Sequence, residues 1–150
     1  MMPPVMPPSV TIRLLKPADA PVLDRVAPDV FDYDVDPHWT AVFFADPRHH
    51  LAVALAGDVV VGMASALHYV HPDKQPELFV MEVGVAAPYQ RQGVGRRLLD
   101  ALFEHGRTLG CKEAWVATET DNVAARGLYA AAGGREEEMM YYTFRLSPEP

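Results

Sequence analysis

The stretch LFVMEVGVAAPYQRQGVGRRLLDALF, residues 78–103, constrains the fold more than any other part of the chain. Its first eight residues are apolar except for Glu82 and predict a strand covered on both faces. Gly93 and Gly95 follow, and then Val94, Leu98, Leu99, Leu102 and Phe103 recur at helical spacing. A strand that turns through glycines into an amphipathic helix must fold that helix back onto its own sheet. The turn also gathers Arg91, Arg96 and Arg97, although 13 Lys and Arg against 20 Asp and Glu leave the chain at a net charge of −7.

The remaining segments complete a mixed α/β sheet. VTIRLL (10–15) alternates and predicts a strand, and Pro17 with Asp19 marks a helix start. A short helix is expected over 37–45. The two apolar runs of 50–70, broken at Gly57-Asp58, predict a hairpin. EAWVATE (113–119) reads as a strand, residues 122–132 as a helix closed by Gly133-Gly134, and EEEMMYYTFRL (136–146) as a final strand. The expected order is β-α-α-β-β-β-α-β-α-β, in one domain over 10–150. The proline-rich MMPPVMPPS at 1–9 is expected to be a disordered tail.

Composition removes several classes of function. The acidic balance argues against nonspecific nucleic-acid binding and favours a cationic ligand. No apolar run reaches the length of a membrane span, and the start lacks a signal-peptide pattern. A lone cysteine, Cys111, excludes an intramolecular disulfide framework, and a reducing, cytoplasmic setting is the simplest expectation. Cys111 follows the helix-ending Gly110 and reads as a small buried hydrophobe. His49-His50 reads as a surface doublet. His68 and His71 leave a strand for a loop, so no metal set is expected.

The glycine turn has its own chemistry. The first amides of a helix lack internal partners, and the helix dipole favours an anion there. Missing Cβ atoms let a ligand approach the backbone. The turn therefore suits a phosphate or pyrophosphate, although a plain strand-to-helix turn with solvated arginines fits the same residues. No Gly-Lys-Ser/Thr is present, and the glycines are too few for a dinucleotide fingerprint.

VGVAAPYQRQGVGRRLL resembles motif A of the GCN5-related N-acetyltransferase (GNAT) family, with Gln90 to Gly95 as the Gln/Arg-x-x-Gly-x-Gly/Ala run. TDNVAARGLYAAAGG is similar to the family's motif B, Asn-x-x-Ala-x-x-x-Tyr, here Asn122, Ala125 and Tyr129. Gly133-Gly134 stands where the family often has Gly-Phe. The resemblance implies acetyl-CoA as cosubstrate and no metal. It implies pyrophosphate on the turn of Gln90, Arg91, Gln92, Gly93, Val94, Gly95 and Arg96. It places the pantetheine arm along Val83 and Val85 by main-chain hydrogen bonds, and Asn122, Ala125 and Tyr129 beside the cofactor. It allows a homodimer that pairs final strands.

Acetyl transfer from a thioester needs a neutral amine, a stabilised carbonyl oxygen and a proton for the leaving sulfur. By resemblance Tyr129 is the general acid, and the Val83 amide serves the oxygen. Glu82 interrupts an apolar strand, which burial would tolerate only with something to offset its desolvation. A raised pKa would suit a general base or an anchor for the substrate ammonium. Glu82, Glu119, Asp121 and Glu137 are the expected ammonium contacts. Runs at Asp32, Asp34 and Asp36 and at 136–138 either join that site or are solvated faces. REEEMMYYTF and the carboxylate of MEVGV are similar to the family's aminoglycoside 3-N-acetyltransferases. The expected acceptor is therefore a small polycationic amine of that class. Acetylation of a polyamine, an amino-acid derivative or a protein N-terminus is the alternative, and a non-catalytic acetyl-CoA-binding module is a third reading.

Overall fold

A computed structural model describes residues 9–149. The expected tail at 1–9 lies, but for Ser9, outside the described residues. Strands β1 (Val10–Leu14), β2 (His49–Ala56), β3 (Val59–Tyr69), β4 (Glu77–Val85) and β5 (Ala114–Trp115) form one sheet in the order β1-β2-β3-β4-β5. The first three pairings are antiparallel and β4 pairs with β5 in parallel. The helices are α1 (Pro37–Ala45), α2 (Val94–Thr108) and α3 (Val123–Ala131). The helix start at Pro17 opens a 3₁₀ segment, Pro17–Asp24, with Pro21 inside it.

Helix α2 carries the core. Leu98, Leu99 and Leu102 are 0 % exposed, and each such side chain removed from water stabilises the fold by roughly 2 kcal/mol. Their face lies across β1 to β4. Gly62 on β3 and Gly106 on α2 let the two layers close: a Cβ on Gly62 would stand 3.2 Å from Leu98, and one on Gly106 3.0 Å from Leu78.

Two expectations fail at the C-terminal end. The strand of 113–119 shrinks to Ala114–Trp115, which meets only Leu78 and Phe79. Residues 136–146 form no strand. A strand needs a partner edge along its length, and a two-residue β5 offers almost none. The segment leaves Met139, Met140, Tyr141, Tyr142, Phe144 and Leu146 between 72 % and 96 % exposed.

Candidate active site

A single extra residue in β4 determines where Glu82 points. Opposite β3, Ala66 faces Val80 and Ser65 faces Glu82, so Met81 has no partner and forms a bulge. Side chains alternate along a strand, and a bulge resets the alternation. Leu78 meets Gly106 of α2, and Val80 lies buried on that same side. Without the bulge Glu82 would follow them under α2. With it, Glu82 shares the opposite face with Gly84, whose backbone lies against the carbonyl of Val30. The second face is covered in part, by Val30 at Gly84, but the expected burial of the carboxylate is wrong: Glu82 is exposed. Its carboxyl is still held above the ordinary carboxylate pKa, first by partial desolvation and then by the charge of Asp32.

The neighbour that supplies Asp32 is the segment between the 3₁₀ turn and α1. It is pinned to β3, because Ala27 N–H donates to the Val60 carbonyl at 2.8 Å and Val60 N–H donates to the Arg25 carbonyl at 2.8 Å. This segment encloses a cleft of about 520 Å³ whose walls include Asp24, Asp29, Asp32 and Asp34 with Phe31 and Tyr33. The acidic run thus divides. Asp32 faces Glu82, Asp34 lines the cleft, and Asp36 caps α1 by accepting from the His38 and Trp39 amides at 2.8 and 3.1 Å.

The edge of β4 on the other side of the strand is open. Ala86 N–H donates to the Val61 carbonyl of β3, so by antiparallel alternation the backbone groups of Val83 and Val85 face away from β3. They face toward β5, which stops pairing at Phe79. Part of this edge is taken: Gln90 Nε2 donates to the Val85 carbonyl at 2.9 Å.

The glycine turn leads from this edge into α2. Arg91 and Gly93 both adopt left-handed backbone, with φ of 61° and 80°, a conformation that costs little only at Gly93. The first helical bond runs from Arg97 N–H to the Gly93 carbonyl, so the amides of Val94, Gly95 and Arg96 have no partner within the helix. Gly95 serves packing, because a Cβ there would stand 3.1 Å from Leu128 of α3. The arginines are not equivalent. Arg96 donates to Asp100 and to the Ala131 carbonyl, and Arg97 donates to the Val10 carbonyl at 3.0 Å. Arg91 alone of the three has no side-chain partner among the described residues. Gln92 Nε2 donates to the Pro88 carbonyl at 2.9 Å and braces the turn.

Helix α3 stands beside α2. Asn122 Oδ1 accepts from the Ala125 amide at 3.0 Å, so these two motif residues cap the helix with each other. Tyr129 packs against the core cluster, and burial raises its hydroxyl pKa. Its phenol is protonated at neutral pH and can donate. Glu119 and Asp121 form the exposed turn before α3, where Asn122 N–H donates to the Glu119 carbonyl. Glu137 is exposed and pairs with Arg135 at 2.9 Å. No hydrogen bond or ion pair joins Glu119, Asp121 or Glu137 to Glu82 among the described residues.

Two features escaped the sequence. Gly84 marks the close approach of Val30, and a glycine inside an apolar strand is the usual signal for it. His50 is not on the surface but 7 % exposed. Its Nε2 lies 2.7 Å from His68 Nδ1 and its Nδ1 lies 3.1 Å from His105 Nε2. The three rings form a chain rather than a converging set, and no group of three or more ligating side chains fit to hold a metal exists among the described residues. Cys111 is buried, as expected, and its thiol pKa is raised by burial. No helix among the described residues is long and apolar enough to cross a membrane.

Residues 19–133 match the acetyltransferase (GNAT) family. The chain is 34 % identical to the N-alpha-acetyltransferase RimI of Mycobacterium tuberculosis over 143 residues, covering 92 % of this chain and 86 % of that protein. It is 30 % identical over 146 residues to an aminoglycoside N(6′)-acetyltransferase type 1 of Stenotrophomonas maltophilia, covering 93 % and 95 %. An aminoglycoside acetyltransferase from an uncultured soil metagenomic sample, solved with sisomicin, shares the fold with a TM-score of 0.81 at 19 % identity, over 92 % of this chain and 97 % of that one. The aminoglycoside relative from Stenotrophomonas maltophilia carries the 6′ designation, which corrects the expected likeness to 3-N enzymes. The mixed sheet, the open β4 edge and these likenesses lead to one conclusion: the chain belongs to the GNAT acetyltransferase family and is an N-acetyltransferase that uses acetyl-CoA.

Proposed function

We propose that this enzyme acetylates a primary amine of a small polycation of the aminoglycoside class. The observation that carries the reading is the position of Glu82. It stands on the face of β4 against which Val30 packs, and Asp32, which lines an acidic cleft, is close enough for its charge to act on Glu82, while the strand's open edge and the bare amides of α2 lie beside it. An anion fits the amides and a cation fits the cleft. These groups suit acetyl-CoA. The amides of Val94, Gly95 and Arg96, with the Arg91 side chain, would hold pyrophosphate, and Val83 and Val85 would pair with the pantetheine arm. Gln90 and Gln92 keep the turn in shape, and Asn122 with Ala125 fixes the start of α3.

When bound, acetyl-CoA supplies an activated thioester. Asp32 and Asp34 would attract the substrate ammonium, with Glu119, Asp121 and Glu137 as outer contacts. Glu82 takes the ammonium proton, directly or through water, so that the neutral nitrogen can attack. The Val83 N–H donates to the carbonyl oxygen as charge grows on it. Tyr129 gives its proton to the sulfur as the carbon–sulfur bond breaks and the carbon–nitrogen bond forms.

Thiol release from acetyl-CoA tests the reading with gentamicin, kanamycin, spermidine and a short peptide with a free N-terminus. Release with the aminoglycosides is expected, and NMR of the product identifies the amino group. Release with the peptide alone would overturn it in favour of a protein N-terminus. The full-length likeness to RimI makes that the second reading. No turnover with any amine would leave a module that binds acetyl-CoA without transfer.

A homodimer accounts for the exposed C-terminal segment. Gly133, at φ 90°, and the Gly134 amide bonded to the Tyr129 carbonyl fix the exit from α3. Arg126 then holds Glu136 at 2.8 and 3.2 Å. The segment thus leaves in a set direction while the sheet ends at a short β5 whose outer edge meets no strand among the described residues. A chain with both an exposed apolar segment and a spare sheet edge is complementary to itself. Tyr141, Tyr142 and Phe144, exchanged between two copies, would bury about 900–1,500 Å² at roughly 150–250 Å² per ring, in the range of a stable interface. Light scattering should give twice the chain mass for the full protein and a monomer for a chain ending at Arg135. A monomeric full-length protein would refute the exchange.

A further inference from the structure

We infer that Gly84 is a positioning residue: by admitting the Val30 carbonyl against β4 it sets how close the acidic wall at Asp32 stands to Glu82, and with it the preference for multiply charged amines. The second half of this inference rests on the acceptor reading above.

The contact is closer than any other glycine in the chain makes. A Cβ on Gly84 would fall 2.0 Å from the Val30 oxygen and 3.1 Å from the Val30 carbonyl carbon. Cβ contacts under 3.0 Å are essentially never seen, so alanine forces Val30 back by about 1 Å. The obstacle is backbone, which cannot swing aside as a side chain can. The segment is also held at its start, where Arg25 and Ala27 bond Val60, and by Val30, Phe31 and Val35, which pack in or against the core. Gly84 therefore sets how closely the segment around Val30 can lie on the strand.

Asp32 is two residues from Val30, and Glu82 is two residues from Gly84 on the same face of β4. A shift at the one contact moves the two carboxylates apart. Of the groups packed against Glu82, Asp32 on the loop is the charged one that acts on it. Ser65, its partner on β3, is neutral. Asp29 and Asp34 line the same cleft. Two carboxylates held close favour an ammonium between them, and a substrate with a second charge gains from the rest of the wall.

Carboxyl titration by carbon-13 NMR reads this without turnover, in the wild type, Gly84→Ala, Asp32→Asn and the double variant. Both single variants should lower the midpoint of Glu82 toward the ordinary carboxylate value. In the double variant the loss of Asp32 should lower the midpoint by less than it does in the wild type, since a more distant Asp32 acts more weakly on Glu82. If Asp32→Asn lowers the midpoint as much in the alanine background as in the wild type, or if Gly84→Ala leaves it unmoved, the inference is wrong. Ala27→Pro loosens the same loop at its start and leaves β4 untouched. It should move the midpoint in the same direction, and it serves if Gly84→Ala does not fold; an unmoved midpoint there also overturns the inference. In turnover, the kcat/KM ratio of spermidine over n-butylamine should fall about fivefold in Asp32→Asn, the size of one partly exposed ion pair, and by a smaller factor in Gly84→Ala. A shifted midpoint with an unchanged ratio would overturn the acceptor reading and leave the positioning role standing.

Discussion

His50 should make this protein acid-sensitive, by an amount the structure defines. Its ring is buried between His68 and His105 and bonded to both. Burial is the first cause that lowers its pKa, followed by the charges of His105, His68 and His49, to about 4. In the unfolded chain the ring titrates near 6.5. Between these values the unfolded state holds a proton that the folded state refuses. Stability then falls as pH falls, by about 1.4 kcal/mol per pH unit. The contribution is complete above pH 6.5 and is lost down to pH 4, where it amounts to about 3 kcal/mol. His50→Gln removes this titration and keeps an amide that can donate and accept. Urea unfolding from pH 4 to 8 should show the wild type losing about 3 kcal/mol more than His50→Gln over that range. Carboxylates titrate in the same window but cancel in the difference. Parallel curves for the two proteins would refute the reasoning.

Other consequences follow from the site and its packing. Gly95→Leu drives a side chain into Leu128, 3.1 Å from the Cβ position, and should cost about 1–3 kcal/mol in a urea melt; an unchanged midpoint would show that α2 and α3 are free to part. Tyr129→Phe should lower kcat for acetyl transfer by roughly 100-fold or more and leave the affinity for acetyl-CoA unchanged, which calorimetry checks. Glu82 must lose its proton to act, and its pKa is raised. Turnover should therefore climb as pH rises through that value, and Glu82→Gln should erase this limb of the pH–rate profile.

The reach of the sequence varied along the chain, for physical reasons. The glycine turn and α2 were legible because a strict apolar repeat at Val94, Leu98 and Leu102 admits one packing face. Helix α1 was legible too, with Pro37 at its first position and Asp36 as cap. The bulge at Met81 was not, since nothing in LFVMEVGV marks an extra residue; it arises from pairing with β3. Glu82 was noticed as the odd residue, but its surroundings were misjudged for want of that bulge. The arginines looked alike in sequence, yet two are bound to backbone carbonyls far along the chain. The last strand was read from composition alone, and strands exist only where an edge receives them. His50 looked exposed beside His49 because the partners that bury it, His68 and His105, lie 18 and 55 residues away.

The account stands on the open edge of β4 and the bare amides of α2 as the seat of acetyl-CoA. Amide proton–nitrogen NMR with coenzyme A titrated into the protein tests this most directly. The largest shifts should fall on Val83, Val85, Val94, Gly95 and Arg96, while the cleft residues 29–34 move little. Saturable shifts elsewhere, with these five amides unmoved, would contradict it.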